Sequence, residues 1–211
     1  MSWPCLVAEV IALSSPLVLA SGSPRRRELL SSAGLQFDVR PADIDETPLP
    51  EELPAAYVRR LSIEKAAAAM ESPLASSADI VLAADTTVEV EGAILEKPLD
   101  VDDAYRMLRM LSGRDHLVHT GVTVSVPSTG VRRANSILVT TRVTFADLNA
   151  RAIDWYLATG QTNNEWEDKA GGYGIQGAAA GFVERVDGSV TNVIGLPLTE
   201  TLKLLRDVAS T

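Results

Sequence analysis

Apolar runs and alternating stretches follow one another along the chain, separated by clusters of Pro, Gly, Asp and Ser. Leu17–Ala20 is wholly apolar and short, the pattern of a buried strand. Ser23-Pro24 then predicts a helix to about Ser32: serine suits the cap, proline the first helical position, and Gly34 the stop. Phe37–Arg40 reads as a second strand, and Pro41–Pro54 as an acidic, proline-rich loop. An alanine-rich helix is expected from about Ala55 to Met70, then a third, central strand over Asp79–Ala84. Thr87–Val90 and Ala93–Leu95 flank Glu91-Gly92 and predict a hairpin. Asp100 or Asp102 caps a helix to about Leu111. His116–Val126 and Val131–Phe145 form two long strands joined by Pro127–Gly130. Asp147 or Asn149 opens a helix to about Ala158, and a glycine-rich loop spans Gly160–Gly177. Phe182–Val186, a turn at Asp187-Gly188 and a helix from about Leu198 to Val208 complete the pattern. Strands alternate with helices early and a hairpin sits in the middle, which predicts an α/β fold with a mixed sheet and helices on its faces.

Residues 1–15 stand apart. The apolar start through Ala20 has no Lys or Arg before it and is broken by Glu9 and two prolines, so neither a secretory signal nor a spanning helix is expected. They read as an N-terminal extension, with a short helix, ahead of a single domain over 16–211. Of the 211 residues 46% are hydrophobic, enough for a substantial core, and the lone Cys5 forms no internal disulfide and fits a reducing compartment, hence a cytoplasmic location. The net charge of −9 repels nucleic acid and triphosphates alike, and neither nucleic acid nor a membrane is expected as a partner. A polyanionic small molecule would need a local cluster of cations, a helix N-terminus or a divalent metal.

Ala20-Ser21-Gly22-Ser23-Pro24-Arg25-Arg26 supplies such a place: a strand ends, glycine permits a tight turn, and a helix starts with its positive end towards the turn. Ser21 and Ser23 add hydroxyls, and Arg25 and Arg26 add forked donors suited to phosphate. Asp85, after the apolar Asp79–Ala84, occupies the strand-end position where open α/β sheets place chemistry, and needs a cation or metal beside it. Asp45 and Glu46 offer further carboxylates that, with Asp85, suit a hard divalent ion. Lys65, Lys97 and Lys169 are candidate cations, each of which is individually more typical of a surface. Gly172-x-Gly174-x-x-Gly177 matches the dinucleotide fingerprint in letters only, since an acidic loop precedes it and a strand follows. These glycines instead let backbone approach a ligand, with Gln176 presenting an amide to a base edge. His116 and His119 read as structural residues on opposite strand faces, and Trp155 and Trp166 as packing. No zinc-site spacing and no Walker A motif occur.

Taken in order, Ala20–Arg26, Asp45-Glu46, Glu64-Lys65-Ala66, Ala84-Asp85-Thr86, Lys97-Pro98, Leu111–Arg114, His119–Gly121, Asp168–Gly177 and Asn192–Pro197 resemble the Maf nucleotide pyrophosphatases from about Leu17 to Leu205. The resemblance implies an ITPase-like fold, a mixed twisted sheet flanked by helices with a cleft between two lobes. It implies hydrolysis between the α and β phosphates of nucleoside triphosphates, dependent on a divalent metal (Mg²⁺, Mn²⁺ or Co²⁺), and a homodimer. On that reading Asp85 matches the general base and, with Glu46, holds the metal. Lys65 and Lys97 join them in catalysis, and Ser21, Ser23, Arg25, Arg26, Thr86, Lys169 and Gln176 match the substrate pocket. Arg25, Thr86 and Gln176 align the chain with the dTTP/UTP subgroup. The 7-methyl-GTP subgroup carries Trp where Arg25 stands and Ser-Glu-Gly where Ile175-Gln176-Gly177 stands. Departures are Glu96 where many members have Gly, and a long Gln161–Glu167 loop. The rivals are a nucleotide-binding regulator of cell division without catalysis, and a house-cleaning enzyme of the ITP or 7-methyl-GTP type.

Overall fold

The computed structural model describes residues 13, 15–72, 79–126, 133–163 and 165–209. In chain order they form β1 (Leu17–Leu19), α1 (Pro24–Ser32), β2 (Asp38–Val39), α2 (Pro54–Glu71), β3 (Ile80–Val90) and β4 (Ala93–Leu95). Then follow α3 (Val101–Leu111), β5 (Asp115–Val126), β6 (Arg133–Phe145), α4 (Ala150–Asn163), β7 (Val183–Asp187), α5 (Val190–Ile194) and α6 (Leu198–Ala209). Two 3₁₀ turns, Ala170–Gly172 and Ala178–Phe182, lie between α4 and β7. The strands make one seven-stranded sheet in the order β2-β1-β3-β5-β6-β7, with β4 off this path on β3. It is mixed, as expected. β1 runs parallel to β2 and β3, whereas β3–β4 and β6–β7 are antiparallel.

The chain divides into two compact units, one of Met1–Asp85, Thr120–Val139 and Gly195–Thr211, the other of Thr86–His119 and Thr140–Ile194. In the first, strand alternation sorts the core. Leu17, Leu19, Ile80, Leu82 and Ala84 pack with Leu30, Val122, Val124, Leu196 and Leu205. The intervening Val18, Ala20, Val81 and Ala83 meet Ala66 and Ala69 of α2. Alanines on both surfaces let helix and sheet approach closely. In the second unit α3 and α4 bury Met107, Leu108, Leu111, Ile153 and Tyr156 in one cluster with Val88, Val143 and Phe145.

Helix starts follow the caps. Asp100 accepts from the Asp103 N–H, and Asn149, rather than Asp147, accepts from the Ala152 N–H. Glu91 and Gly92 both have positive φ, 52° and 82°, which closes the β3–β4 hairpin tightly. Several boundaries differ from expectation. β3 does not end at Ala84 but runs unbroken to Val90, so the predicted strand and the first hairpin arm are one strand. The arm gave no breaker before it, only Asp85. α4 runs beyond Ala158 to Asn163, because Gly160 is helical: a Cβ there would meet the Trp166 ring at 2.5 Å, so the helix is held by a neighbour that needs a bare glycine. Trp166 packs, 4% exposed, with its Nε1–H on the Leu157 carbonyl, but Trp155 is 54% exposed and packs in no core. β2 is shorter than predicted and α5 was not predicted at all. The expected helix within residues 1–15, apart from Leu13 and Ser15, and the start of β6 at 131–132 lie outside the described residues.

Gly121 brings β5 against α2. A Cβ at this position would land on the Val58 carbonyl and 2.9 Å from the Arg59 Cα, and backbone cannot rotate away as a side chain can. Gly121→Ala is expected to cost about 2–3 kcal/mol by forcing strand and helix apart. Urea unfolding followed by circular dichroism checks this; an unchanged midpoint contradicts it.

Candidate active site

β1 ends at Leu19, and Ala20 continues the ladder with its N–H on the Leu82 carbonyl before the chain turns into α1. Ser21 and Arg26 are buried in this turn. The Arg26 guanidinium donates from Nη1 to the Ser21 Oγ at 2.9 Å and from Nε to the Gly195 carbonyl at 2.8 Å. The Ser21 Oγ also accepts from the Ser23 N–H at 3.3 Å. Ser23 is the cap residue by position, but its hydroxyl makes no cap bond, which corrects the expectation of a serine side-chain cap. The first turn carries no acidic side chain, and the arginines from Arg25 to Arg27 follow the positive helix end directly. Burial lowers the Arg26 pKa, Asp85 opposes this, and Arg25 adds to it.

Asp85 follows the face rule: Val81, Ala83 and Asp85 share the side of β3 that meets α2. On α2 the buried stripe runs through Leu61, Lys65, Ala66 and Ala69. Lys65 is therefore not a surface charge; it is 7% exposed and directly opposite the sheet's carboxylate. Its Nζ donates to the Asp85 Oδ1 at 2.6 Å and pairs with the Glu46 Oε1 at 2.9 Å. Burial raises the Asp85 pKa above its ordinary value, with Lys65 and then Arg26 pulling it down and Glu46 pushing it up. Asp85, Lys65, Glu46, Arg26 and Ser21 thus form one connected electrostatic cluster within the first unit.

The loop carrying Glu46 is held by residues of α2 that sequence reading passed over. The Tyr57 hydroxyl donates to the Glu46 carbonyl at 2.8 Å. Arg60 donates to the Thr47 carbonyl at 3.2 Å while its fork grips both carboxylate oxygens of Glu52 at 2.8 Å. The only hint in the sequence was their spacing of three on α2, which any amphipathic helix shows. Asp45 closes a local turn within this loop. Its carboxylate accepts from the Thr47 N–H at 2.9 Å, and hydrogen bonding to Thr47 lowers its pKa.

The remaining candidates belong to the second unit. Thr86, on the strand after Asp85, is half-buried. Lys97 is exposed, and the Glu96 carbonyl beside it accepts from the Gly171 N–H at 3.1 Å, which joins the Lys97 segment to the glycine-rich loop. Lys169 is buried, with Nζ 2.7 Å from the Asp168 Oδ1 and its stem against Gly174. Gln176 is exposed. Gly171 and Gly172 have φ of 72° and 70°, a left-handed pair that glycine adopts without strain. The loop is followed by a 3₁₀ turn and β7, not a helix, so the dinucleotide reading fails as expected. His116 and His119 are both buried in side-chain hydrogen bonds, to Tyr173 and to Thr140 and Glu89.

Among the described residues no group of three or more His, Cys, Asp or Glu stands together as a metal cage. Two carboxylates converging on one Nζ, Asp85 and Glu46, are nonetheless the protein share that a magnesium-class ion takes when substrate phosphates and water complete its shell. The donor set therefore fits an ion that arrives with a polyphosphate. No helix among the described residues is long and apolar enough to cross a membrane.

The family model described as Maf-like protein matches residues 16–208. The chain belongs to the Maf family. Among its relatives, a protein of Anaeromyxobacter dehalogenans (strain 2CP-1 / ATCC BAA-258) named dTTP/UTP pyrophosphatase is 52% identical over 190 residues, 90% of this chain and 92% of that protein. Proteins of the same name from Rhizobium meliloti (strain 1021) and Brucella abortus (strain 2308) are 47% and 50% identical, covering 92% and 90% of this chain and 93% and 90% of their own length. The seven-stranded mixed sheet flanked by helices is consistent with the Maf fold.

Proposed function

We propose that this Maf protein hydrolyses nucleoside triphosphates to the monophosphate and pyrophosphate, with dTTP and UTP as preferred substrates. The observation that carries this is near-full-length identity of about one residue in two with proteins named dTTP/UTP pyrophosphatase. The Asp85–Lys65–Glu46 cluster beside Ser21, Arg25 and Arg26 supports it chemically, and this set of ionised groups speaks against a regulator without catalysis.

In this reading Ser21, Ser23, Arg25, Arg26 and the positive end of α1 receive phosphate oxygens, offsetting charge that a chain of net −9 otherwise repels. Asp85 takes the proton of the attacking water. The new bond forms at the α phosphorus, the α–β anhydride bond breaks, and pyrophosphate leaves with the electron pair. Lys65 opposes the burial that raises the Asp85 pKa and so favours the ionised form that this step uses. Lys97 and Lys169 supply further positive charge, and Thr86 and Gln176 contact the nucleoside. A divalent ion (Mg²⁺, Mn²⁺ or Co²⁺) held by Asp85 and Glu46 supplies charge neutralisation for the polyphosphate when bound. The reading includes a homodimer in the cytoplasm that binds neither membrane nor nucleic acid. The acidic net charge is in keeping with the lack of nucleic-acid binding, and the single cysteine with a reducing compartment.

The Gln176 amide offers a donor and an acceptor to the N3–H and a carbonyl of uracil or thymine. A nucleotide panel with Mg²⁺ or Mn²⁺, scored by pyrophosphate release, is expected to rank dTTP and UTP first, CTP lower and 7-methyl-GTP poor. Gln176→Glu removes the donor and adds negative charge, and is expected to cut dTTP hydrolysis by roughly tenfold or more. Preference for 7-methyl-GTP, or selectivity indifferent to Gln176→Glu, contradicts the pyrimidine assignment.

A further inference from the structure

The segment Gly174–Ala178, which carries the exposed Gln176, is fastened from beneath at both ends by two residues of the preceding helix and loop. At its start, the Gly174 N–H donates to the Tyr156 hydroxyl at 3.3 Å, and that hydroxyl donates to the Glu165 carbonyl at 3.0 Å. At its end, the Ala178 N–H donates to the Glu165 carboxylate Oε2 at 3.0 Å. A Cβ at Gly177 would fall directly on that carboxylate, so the glycine exists where the carboxylate closes in. Tyr156 is fully buried and burial raises its pKa, so it stays a neutral donor and acceptor at once. Glu165 therefore fixes the segment twice, by its side chain at Ala178 and by its backbone through Tyr156 at Gly174. All of these contacts lie in the second unit.

We propose that Glu165 is a positioning residue for nucleobase selection: it touches no substrate, and by bonding Ala178 and filling the space above Gly177 it sets the backbone from which Gln176 meets the base. This rests on the pyrophosphatase reading above. A base edge is discriminated only when donor and acceptor are held within a few tenths of an ångström, so the residue that fixes the backbone under Gln176 shapes selectivity as much as the amide itself. Glu165 lies in the acidic stretch before the glycine-rich loop, where charge alone reads as solvated surface.

The test compares wild type, Glu165→Ala, Glu165→Gln, Gly177→Ala and the double variant Glu165→Ala/Gly177→Ala in full-length protein. Glu165→Ala is expected to raise KM for dTTP roughly five- to twentyfold with a smaller change in kcat, and to narrow the preference for dTTP over 7-methyl-GTP. Glu165→Gln keeps an acceptor oxygen at the same reach and recovers most of both. Gly177→Ala displaces the carboxylate and gives a similar loss, but adds little to Glu165→Ala, because the clash disappears with the side chain. Amide hydrogen exchange in the 174–178 segment accelerates in Glu165→Ala and not in Glu165→Gln, a readout independent of turnover. Unchanged KM, selectivity and exchange in Glu165→Ala, or additive losses in the double variant, overturn the inference. Wild-type protein that releases no pyrophosphate from dTTP or UTP overturns the activity reading and this one with it. Wild type that turns over and selects while Glu165→Ala behaves identically overturns this one alone.

Discussion

Asp85→Asn is expected to lower turnover about 10²–10⁴-fold, the usual consequence of removing a general base. Asparagine keeps the volume of the buried side chain, and its amide oxygen still accepts from the Lys65 Nζ that now donates to Asp85 at 2.6 Å. The fold therefore survives while the proton acceptor is lost. Circular dichroism and a thermal melt establish that the variant is folded; pyrophosphate release from dTTP measures the loss. Asp85 is 7% exposed, so burial works against its ionised form, and Lys65 and Arg26 oppose that effect. A folded variant with near wild-type turnover refutes the assignment of Asp85 as base.

The second large effect is acid lability from His116. The ring is 2% exposed, packed edge-on against Phe145 and Tyr173, with Nε2 at 2.8 Å from the Tyr173 hydroxyl. Burial lowers its pKa from 6.5 to about 4. The unfolded chain then binds a proton at pH values where the folded chain does not. The stability this group contributes is full above pH 6.5 and is lost as pH falls through that value towards about 4, by roughly 2–4 kcal/mol. Asp85 works in the opposite sense: its raised pKa means the folded state holds that proton more tightly, so its contribution grows as pH falls. The comparison with His116→Phe separates the two. That variant leaves the Tyr173 hydroxyl without its partner and is less stable at pH 7, yet lacks the loss between pH 6.5 and 4. Urea midpoints across this window in both proteins decide it; parallel slopes contradict a neutral buried histidine.

Much of the fold could be read from patterns with a local cause. Pro24 after Ser23, Asp100 before Val101, and Glu91-Gly92 between apolar arms fix helix starts and a hairpin through backbone geometry and bonds within a few residues. What escaped depends on contacts distant in sequence. β3 continues through Asp85 because Lys65, twenty residues back, meets that charge. α4 continues through Gly160 because Trp166 lies over it. Trp155 resembles a packing residue in composition but falls on the outer face of α4. The site divides in the same way. Ser21–Arg26 carries a signal in its strand-turn context and Asp85 in the apolar run before it, although β3 continues past Asp85 and the expected strand end is not there, whereas Tyr57, Arg60 and Glu165 act through carbonyls and amides of other segments. No spacing in the sequence announces a side chain whose work is to hold backbone.

The central claim is cleavage between the α and β phosphates, and the identity of the products tests it most directly. Purified protein incubated with dTTP and Mg²⁺ or Mn²⁺, followed by phosphorus NMR, is predicted to give dTMP and pyrophosphate in equal amounts. In ¹⁸O-labelled water the label is predicted to enter dTMP, because water attacks the α phosphorus. Formation of dTDP and orthophosphate, or label in the pyrophosphate, would contradict it.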